Sequence, residues 1–240
     1  MKVVLCGYGK MGRMIEEILA QRGDELAGVV HPGLFASAAE VPEPFDAVVD
    51  FSYPGNLPGT LECAMRTGCA CVIGTTGLST EDVDQVRNAA KYAPIVLSAN
   101  YSVGVAVLRN AVKLVAAALP DSFDCEIVET HHNQKVDAPS GTAKMLLDAV
   151  DPDGAYRHVF GREGVVGPRG HEIGVHALRG GTVAGEHSVF FFGPDETLEL
   201  KHSAASRRIF ACGAVKALDF AVGRAPGLYT IDDVLGFGAH

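Results

Sequence analysis

Residues 2–19, KVVLCGYGKMGRMIEEIL, decide the fold. Lys2–Cys6 is a short aliphatic run of strand character. Gly7-Tyr8-Gly9-Lys10-Met11-Gly12 follows at once, and Met14-Ile15-Glu16-Glu17-Ile18-Leu19 has helical spacing that stops at Gly23. A strand, a Gly-x-Gly-x-x-Gly turn and a helix form the context a dinucleotide fingerprint requires. The glycines permit a tight turn and let the backbone approach a pyrophosphate lying on the helix N-terminus. Glycines at this spacing can also make a plain structural turn. Their place at the first strand of an alternating β/α chain favours the nucleotide, so Gly7, Tyr8, Gly9, Lys10, Met11 and Gly12 are expected to bind a cofactor.

Working outward, Glu25–Val30 reads as the second strand. A site selecting NAD would place Asp or Glu at its tip, to hold the ribose 2′-hydroxyl. The tip is His31-Pro32-Gly33. No arginine follows to clasp a 2′-phosphate, although Lys10, or His31 when protonated, could reach one. Either NADH or NADPH is therefore compatible with this end of the site. The rhythm continues through a strand at 47–51 followed by Ser52-Tyr53-Pro54-Gly55, a helix at 60–67 ended by Gly68, and a strand at 69–73 that runs into Gly74-Thr75-Thr76-Gly77. A helix at 81–92 and the strand Pro94–Leu97, ending in Ser98-Ala99-Asn100-Tyr101, complete the series. Ligands of open α/β sheets bind beyond the carboxyl ends of the strands. Gly74, Thr75 and Thr76, and Ser98, Ala99, Asn100 and Tyr101, therefore join the expected cofactor contacts. The Gly-Thr-Thr-Gly loop reads equally well locally as a turn with an N-cap.

After Ser102 the grammar changes. Residues 104–119 form a long apolar helix, suited to a core or a subunit interface. Strand-like runs follow at 124–129, 174–178, 182–187, 188–192 and 197–202, with glycine-rich turns between the last of them. They predict an open, mainly antiparallel sheet that could pair with copies of itself. Residues 151–170, rich in Gly, Pro and charge, read as a long flexible loop. Residues 207–222 return to helix, and Ile231–Leu235 is expected to pack on the first domain.

The chemistry concentrates in EIVETHHNQKVDAPSGTA, residues 126–143. His131, His132, Lys135 and Asp137 lie on an expected loop between a strand and a helix opened by Pro139-Ser140-Gly141-Thr142. First-turn N–H groups and the helix dipole attract an anion such as a carboxylate. Histidine titrates near neutrality and a close lysine can also donate, so His131 and Lys135 are a matched pair for protonation. His132, Ser140, Gly141 and Thr142 are placed to grip an acidic small molecule, while Asp137 suits fixing the loop. Each residue alone has a bland reading, Ser140 as an N-cap and the histidines as solvated; together in one loop they indicate a site. No metal is expected, because adjacent histidines diverge along an extended chain, and HEXXH and CXXC spacings are absent.

Composition narrows the classes. The chain of 240 residues carries a net charge of −9, which disfavours nucleic acid and anionic membranes as partners. Six cysteines without framework spacing read as reduced thiols, pointing to the cytoplasm. No secretory leader and no membrane-spanning run is visible.

These motifs, with the later RGGTVAGEH and HSAASR, resemble in order those of the dihydrodipicolinate (4-hydroxy-tetrahydrodipicolinate) reductases of lysine and diaminopimelate biosynthesis. The resemblance implies an α/β protein in which residues 1–102 and 208–240 form a Rossmann dinucleotide-binding domain. Residues 103–207 would form an α+β mixed-sheet domain for substrate binding and oligomerisation, in a homotetramer. It further implies NADH or NADPH as hydride donor, a cyclic imine dicarboxylate as substrate, and proton transfer by His131 and Lys135. Another two-domain dehydrogenase, of an amino acid or a semialdehyde, would share the first domain. An acylating semialdehyde dehydrogenase needs a nucleophilic cysteine in an electropositive loop, and none is evident. A dinucleotide-sensing transcription regulator needs a basic DNA-reading element that this acidic chain lacks.

Overall fold

The structure, a computed structural model, describes residues 1–238. Two compact units divide the chain: Met1–Val103 with the segment from Arg208 onward, and Gly104–Arg207.

In chain order the first unit contributes β1 (Lys2–Cys6), α1 (Lys10–Arg22), β2 (Glu25–Val30), β3 (Ala47–Asp50), α2 (Leu57–Thr67), β4 (Ala70–Ile73), α3 (Thr80–Ala89) and β5 (Pro94–Leu97). The second unit holds α4 (Val103–Ala118), β6 (Asp124–His131), α5 (Gly141–Val150), β7 (Arg157–Val159), β8 (Glu172–Arg179), β9 (Gly185–Phe192) and β10 (Thr197–Ala204). The chain then returns to the first unit with α6 (Arg208–Ala221), β11 (Gly227–Tyr229) and α7 (Ile231–Leu235).

The first sheet runs β11-β5-β4-β3-β1-β2, every neighbouring pair parallel. Its inner strands are short and mostly apolar because both faces are covered: Val3, Val4, Leu5, Val48, Val49, Val72, Ile73, Ile95 and Val96 are all buried. Strand order reverses between β1 and β3, which opens a crevice beyond their carboxyl ends. Gly7 sits there at φ +90°, and a Cβ on it would stand 2.6 Å from the Phe51 carbonyl oxygen. Buried Gly12 lets α1 close onto the turn, since a Cβ on it would run into the Gly7 carbonyl.

The second sheet runs β10-β9-β6-β8-β7. Here the expectation of a mainly antiparallel sheet is corrected. β10–β9 and β9–β6 are antiparallel, whereas β6–β8 and β8–β7 are parallel, because helical or long connections return the chain in the same direction. Residues 182–187 and 188–192, read as two strands, are largely one: β9 spans Gly185–Phe192 without a turn. β6 also runs past Glu129 to His131, held by pairing of His131 with Arg179 on β8. His131 therefore ends a strand instead of occupying a loop. The long segment 151–170 contains β7 and is fastened by ion pairs. Arg162 reaches Glu126 and Glu172, each at 2.8 Å, and Arg169 reaches Asp124 at 2.8 Å. In the first unit β11 is an element that periodicity did not announce, three residues long and paired to β5.

Alternation sorts the second sheet into two faces. Cys125, Ile127, Ile173, Val175, Val189 and Phe191 face α4 and α5 and form the core with Leu108, Val112, Leu146 and Leu147. Glu129 and His131 of β6 continue that face, as do Arg179 of β8 and His187 of β9. A polar cluster thus grows out of one end of an apolar layer.

Candidate active site

In the first unit a cleft of about 590 Å³ lies over the glycine turn, lined by Gly7, Tyr8, Gly9 and His31 together with Ser52 and Tyr53. Its fit to a dinucleotide rests on three observations. Nothing stands within 4 Å of where a Cβ on Gly9 would be, so the backbone is open to close approach. Gly9 caps α1 without any side-chain hydrogen bond, and the first turn holds no acidic residue, leaving its positive end to an anion. Among the described residues no carboxylate lines the cleft. Tyr8 forms one wall. Its hydroxyl donates to Glu16 at 2.6 Å, Arg13 lies 5.3 Å over its ring, and its edge meets His31 at 6.0 Å.

The other expected cofactor residues take different places. Lys10 and Thr76 are exposed, Met11 and Gly74 half-buried, and Gly12 serves packing. Thr75 is buried; its hydroxyl donates to the Asp50 carboxylate at 2.8 Å, which also accepts from Thr60 at 2.7 Å and Ser52 at 2.5 Å. This network ties the ends of β3 and β4 together beneath the crevice. The Tyr101 hydroxyl donates to the carbonyls of Ile73 and Val96, both at 2.9 Å, so its side chain belongs to the core and its backbone alone is left for a ligand. Ser98 accepts from the Asn100 N–H at 3.2 Å and donates to the Asn100 carbonyl at 2.8 Å, while Ala99 between them is exposed.

In the second unit the expected residues converge around one carboxylate. Glu129 is fully buried. Its oxygens accept from Arg179 Nη1 and Nη2, each at 2.8 Å, and from the Ser140 N–H at 3.0 Å, and they meet His131 Nδ1 at 2.6 Å. Burial pushes the Glu129 carboxyl up, but Arg179, His131 and the Ser140 amide outweigh it and hold the group below its ordinary value. Arg179 also donates to the Asp137 carbonyl at 2.7 Å, which stitches the loop to β8. Lys135 pairs with Asp137 at 2.8 Å, and His132 Nε2 accepts from Arg207 at 3.3 Å. Ser140 caps α5, its hydroxyl accepting from the Ala143 N–H at 3.1 Å. The helix start offers fewer amides than its sequence suggested, because Pro139 has no N–H and that of Ser140 is taken by Glu129. Gly141 has nothing within 4 Å of its would-be Cβ.

Glu129, Arg179 and His187 stand inside the motifs EIVETHHNQKVDAPSGTA and RGGTVAGEH, yet motif reading assigned none of them a role in the site. Glu129 and His131 share a face at i, i+2, a signal present in the sequence; Arg179 and His187 reach them only through register, opposite His131 and Glu129 respectively. His187 lies edge-on to His131 with ring centroids 5.2 Å apart, and its Nε2 sits 3.2 Å from the Ser140 hydroxyl. Its Nδ1 is buried without a partner. Burial, reinforced by nearby His131, pulls the His187 pKa down to about 4. Among the described residues no group of three or more His, Cys, Asp or Glu is placed to hold a metal.

A histidine neutral in the fold but able to protonate at its ordinary value of 6.5 when unfolded destabilises the protein as pH falls. The unfolded chain binds the extra proton between pH 6.5 and about 4, so stability should decline across that window, by roughly 3 kcal/mol in all. Denaturant titrations at several pH values should show the slope between pH 6.5 and 5 shrinking in His187→Asn. An unchanged slope would assign it to other groups.

Comparison with known proteins matches both units to one family. Residues 1–101 match the model "Dihydrodipicolinate reductase, N-terminus" and residues 104–235 the model "Dihydrodipicolinate reductase, C-terminus". The 4-hydroxy-tetrahydrodipicolinate reductase of Caldanaerobacter subterraneus subsp. tengcongensis is 44% identical, with 96% of each chain covered. That of Brachyspira hyodysenteriae is 41% identical over 98% of this chain and 100% of the relative. A dipicolinate-bound dihydrodipicolinate reductase from Paenisporosarcina sp. TG-14 shares the fold, with a TM-score of 0.77 at 22% identity over 96% of this chain and 97% of the other. The chain belongs to the dihydrodipicolinate reductase family.

Proposed function

We propose that the chain acts as a nicotinamide-dependent 4-hydroxy-tetrahydrodipicolinate reductase, reducing a cyclic unsaturated imine dicarboxylate in lysine and diaminopimelate biosynthesis. Family membership supports the reaction. The observation that carries the assignment of the site is the clamped Glu129–His131 pair beside the start of α5. The bound nicotinamide supplies a hydride, and a group on this chain must then supply a proton. His131 and Lys135 are the donors. The substrate carboxylates are gripped by the Gly141 amide, the Thr142 hydroxyl, His132 and Ser140, with Lys135 turning from Asp137 toward the incoming anion. Residues 1–102 and 208–240 hold the dinucleotide, and residues 103–207 bind substrate and build the oligomer.

The cofactor is NADH or NADPH. A cleft without a carboxylate among the described residues gives no charge to repel a 2′-phosphate; His31 lines it, and Lys10 and Arg13 stand in the first turn of α1. A homotetramer is supported by the second sheet's other face. There Val128, Leu178, Phe190 and Phe192 alternate with polar residues, Leu178 at 48% and Phe192 at 40% exposure, and Phe190 and Phe192 stack with ring centroids 5.6 Å apart. A cytoplasmic setting is consistent with six free cysteines, five of them buried. No helix among the described residues is long and apolar enough to cross a membrane.

The purified protein should oxidise NADH and NADPH when the preceding synthase generates substrate in situ, with KM values within about a hundredfold (~2.8 kcal/mol) of each other. Oxidation of neither would overturn the proposed reaction. His131→Ala and Lys135→Ala should each lower kcat by roughly 10²–10⁴-fold while cofactor affinity stays nearly unchanged. Turnover surviving within threefold in both would move the proton donors elsewhere. Light scattering should return about four times the 25.2 kDa chain mass, and a monomer at assay concentration would remove the tetramer.

A further inference from the structure

The carboxylate of Glu129 sits in a socket made of donors. Arg179 Nη1 and Nη2 and the Ser140 N–H can only donate, and they occupy both oxygens at 2.8, 2.8 and 3.0 Å. The remaining neighbour, His131 Nδ1 at 2.6 Å, can donate or accept. An ionised carboxylate accepts only, so His131 must bring its hydrogen to Nδ1. The other ring nitrogen then faces away from Glu129 toward Gly185, where a Cβ would stand 3.1 Å from Nε2; the absence of a side chain there keeps that nitrogen open.

We propose that Glu129, clamped by Arg179 and the Ser140 amide, is a positioning residue that fixes the Nδ1–H tautomer of His131, so that Nε2 is the atom that gives up the proton in the reduction. This inference rests on the proposed reaction. In the step, the substrate receives a hydride from the nicotinamide and a proton from His131 Nε2. The N–H bond at Nε2 breaks, its electron pair stays on the ring, and the imidazolium becomes a neutral imidazole that still carries its Nδ1 hydrogen. Water recharges Nε2 afterwards. The groups facing His131 fit this cycle. Glu129 on its own strand faces the ring at Nδ1, and Arg179 of β8 is neutralised within the carboxylate pair. His187 of β9 is uncharged near neutrality and adds no repulsion. Lys135 and Asp137 of the following loop are paired with each other.

Two measurements test this. In the full-length protein labelled with ¹⁵N-histidine, long-range ¹H–¹⁵N correlation spectra should show a protonated Nδ1 and a bare Nε2 for the neutral ring of His131. The signal is assigned by its loss in His131→Gln. The opposite tautomer in the wild-type protein would overturn the proposal, whatever the enzyme reduces. In Glu129→Gln the amide must turn its NH₂ toward donors on one side or the other, either Arg179 and the Ser140 N–H or Arg179 and His131 Nδ1, so the clamp that orients the ring is broken in this variant. Its kcat should fall roughly 10²–10⁴-fold with substrate KM changed less than about threefold. Turnover within threefold of wild type would overturn the role of Glu129. Should that variant not fold, Glu129→Asp, which keeps the charge but withdraws it from His131, gives the same comparison. If no substrate is reduced by the wild-type protein, the proposed reaction fails, while the tautomer is still read by the spectrum.

Discussion

A carboxylate with no exposure to water must find donors for both oxygens, and the second unit is organised around meeting that demand for Glu129. Arg179 comes from β8, the Ser140 amide from the start of α5, and His131 from the end of β6 itself. Each of these also fixes something else. Arg179 continues to the Asp137 carbonyl and so sets the path of the loop between β6 and α5. Ser140, held through its amide, caps α5 through its hydroxyl and orients the helix whose first turn is offered to an anion. The loop, the helix start and the imidazole are therefore one mechanical unit. Losing either Glu129 or Arg179 would leave its partner's charge without compensation in a sparsely solvated place.

The first unit solves a parallel problem with another buried acid. Asp50 at the end of β3 is fully buried and accepts from the hydroxyls of Ser52, Thr60 and Thr75. No cation is among these partners; neutral donors alone satisfy it. The result joins two strand ends just below the crevice, and keeps the Ser52 and Thr75 turns in fixed positions beneath the cleft over Gly7 and Gly9. Comparing the two acids shows a division of labour. The Asp50 network stiffens a floor, whereas the Glu129 network ends on a titratable ring that can act on a ligand.

The mixed strand directions of the second sheet set the neighbours of the cluster. Parallel pairing of β6 with β8 places His131 opposite Arg179, and antiparallel pairing of β6 with β9 places Glu129 opposite His187. An all-antiparallel sheet would have reversed one of these neighbours and moved a charged residue away from the cluster.

Much of this was legible in the chain alone. The run KVVLCGYGKMGRMIEEIL declares its strand, turn and helix through local chemistry: apolar continuity, three glycines and a 3.6-residue period. Gly23 and Gly68 announce helix ends that the left-handed backbone at both confirms. His131, Lys135 and Ser140 stand within ten residues of one another, so their association is a local matter. Strand direction in the second sheet, the merging of 182–192 into β9 and the length of β6 depend on which strands pair, and pairing is a contact between residues far apart in sequence. For the same reason Tyr101 and Thr75 read as ligand contacts, while the fold spends their hydroxyls on Ile73, Val96 and Asp50. Sequence determined that a titratable loop precedes a helix start; tertiary structure decided that Glu129, Arg179 and His187 surround it, because register across β6, β8 and β9 brings together side chains that no local pattern connects.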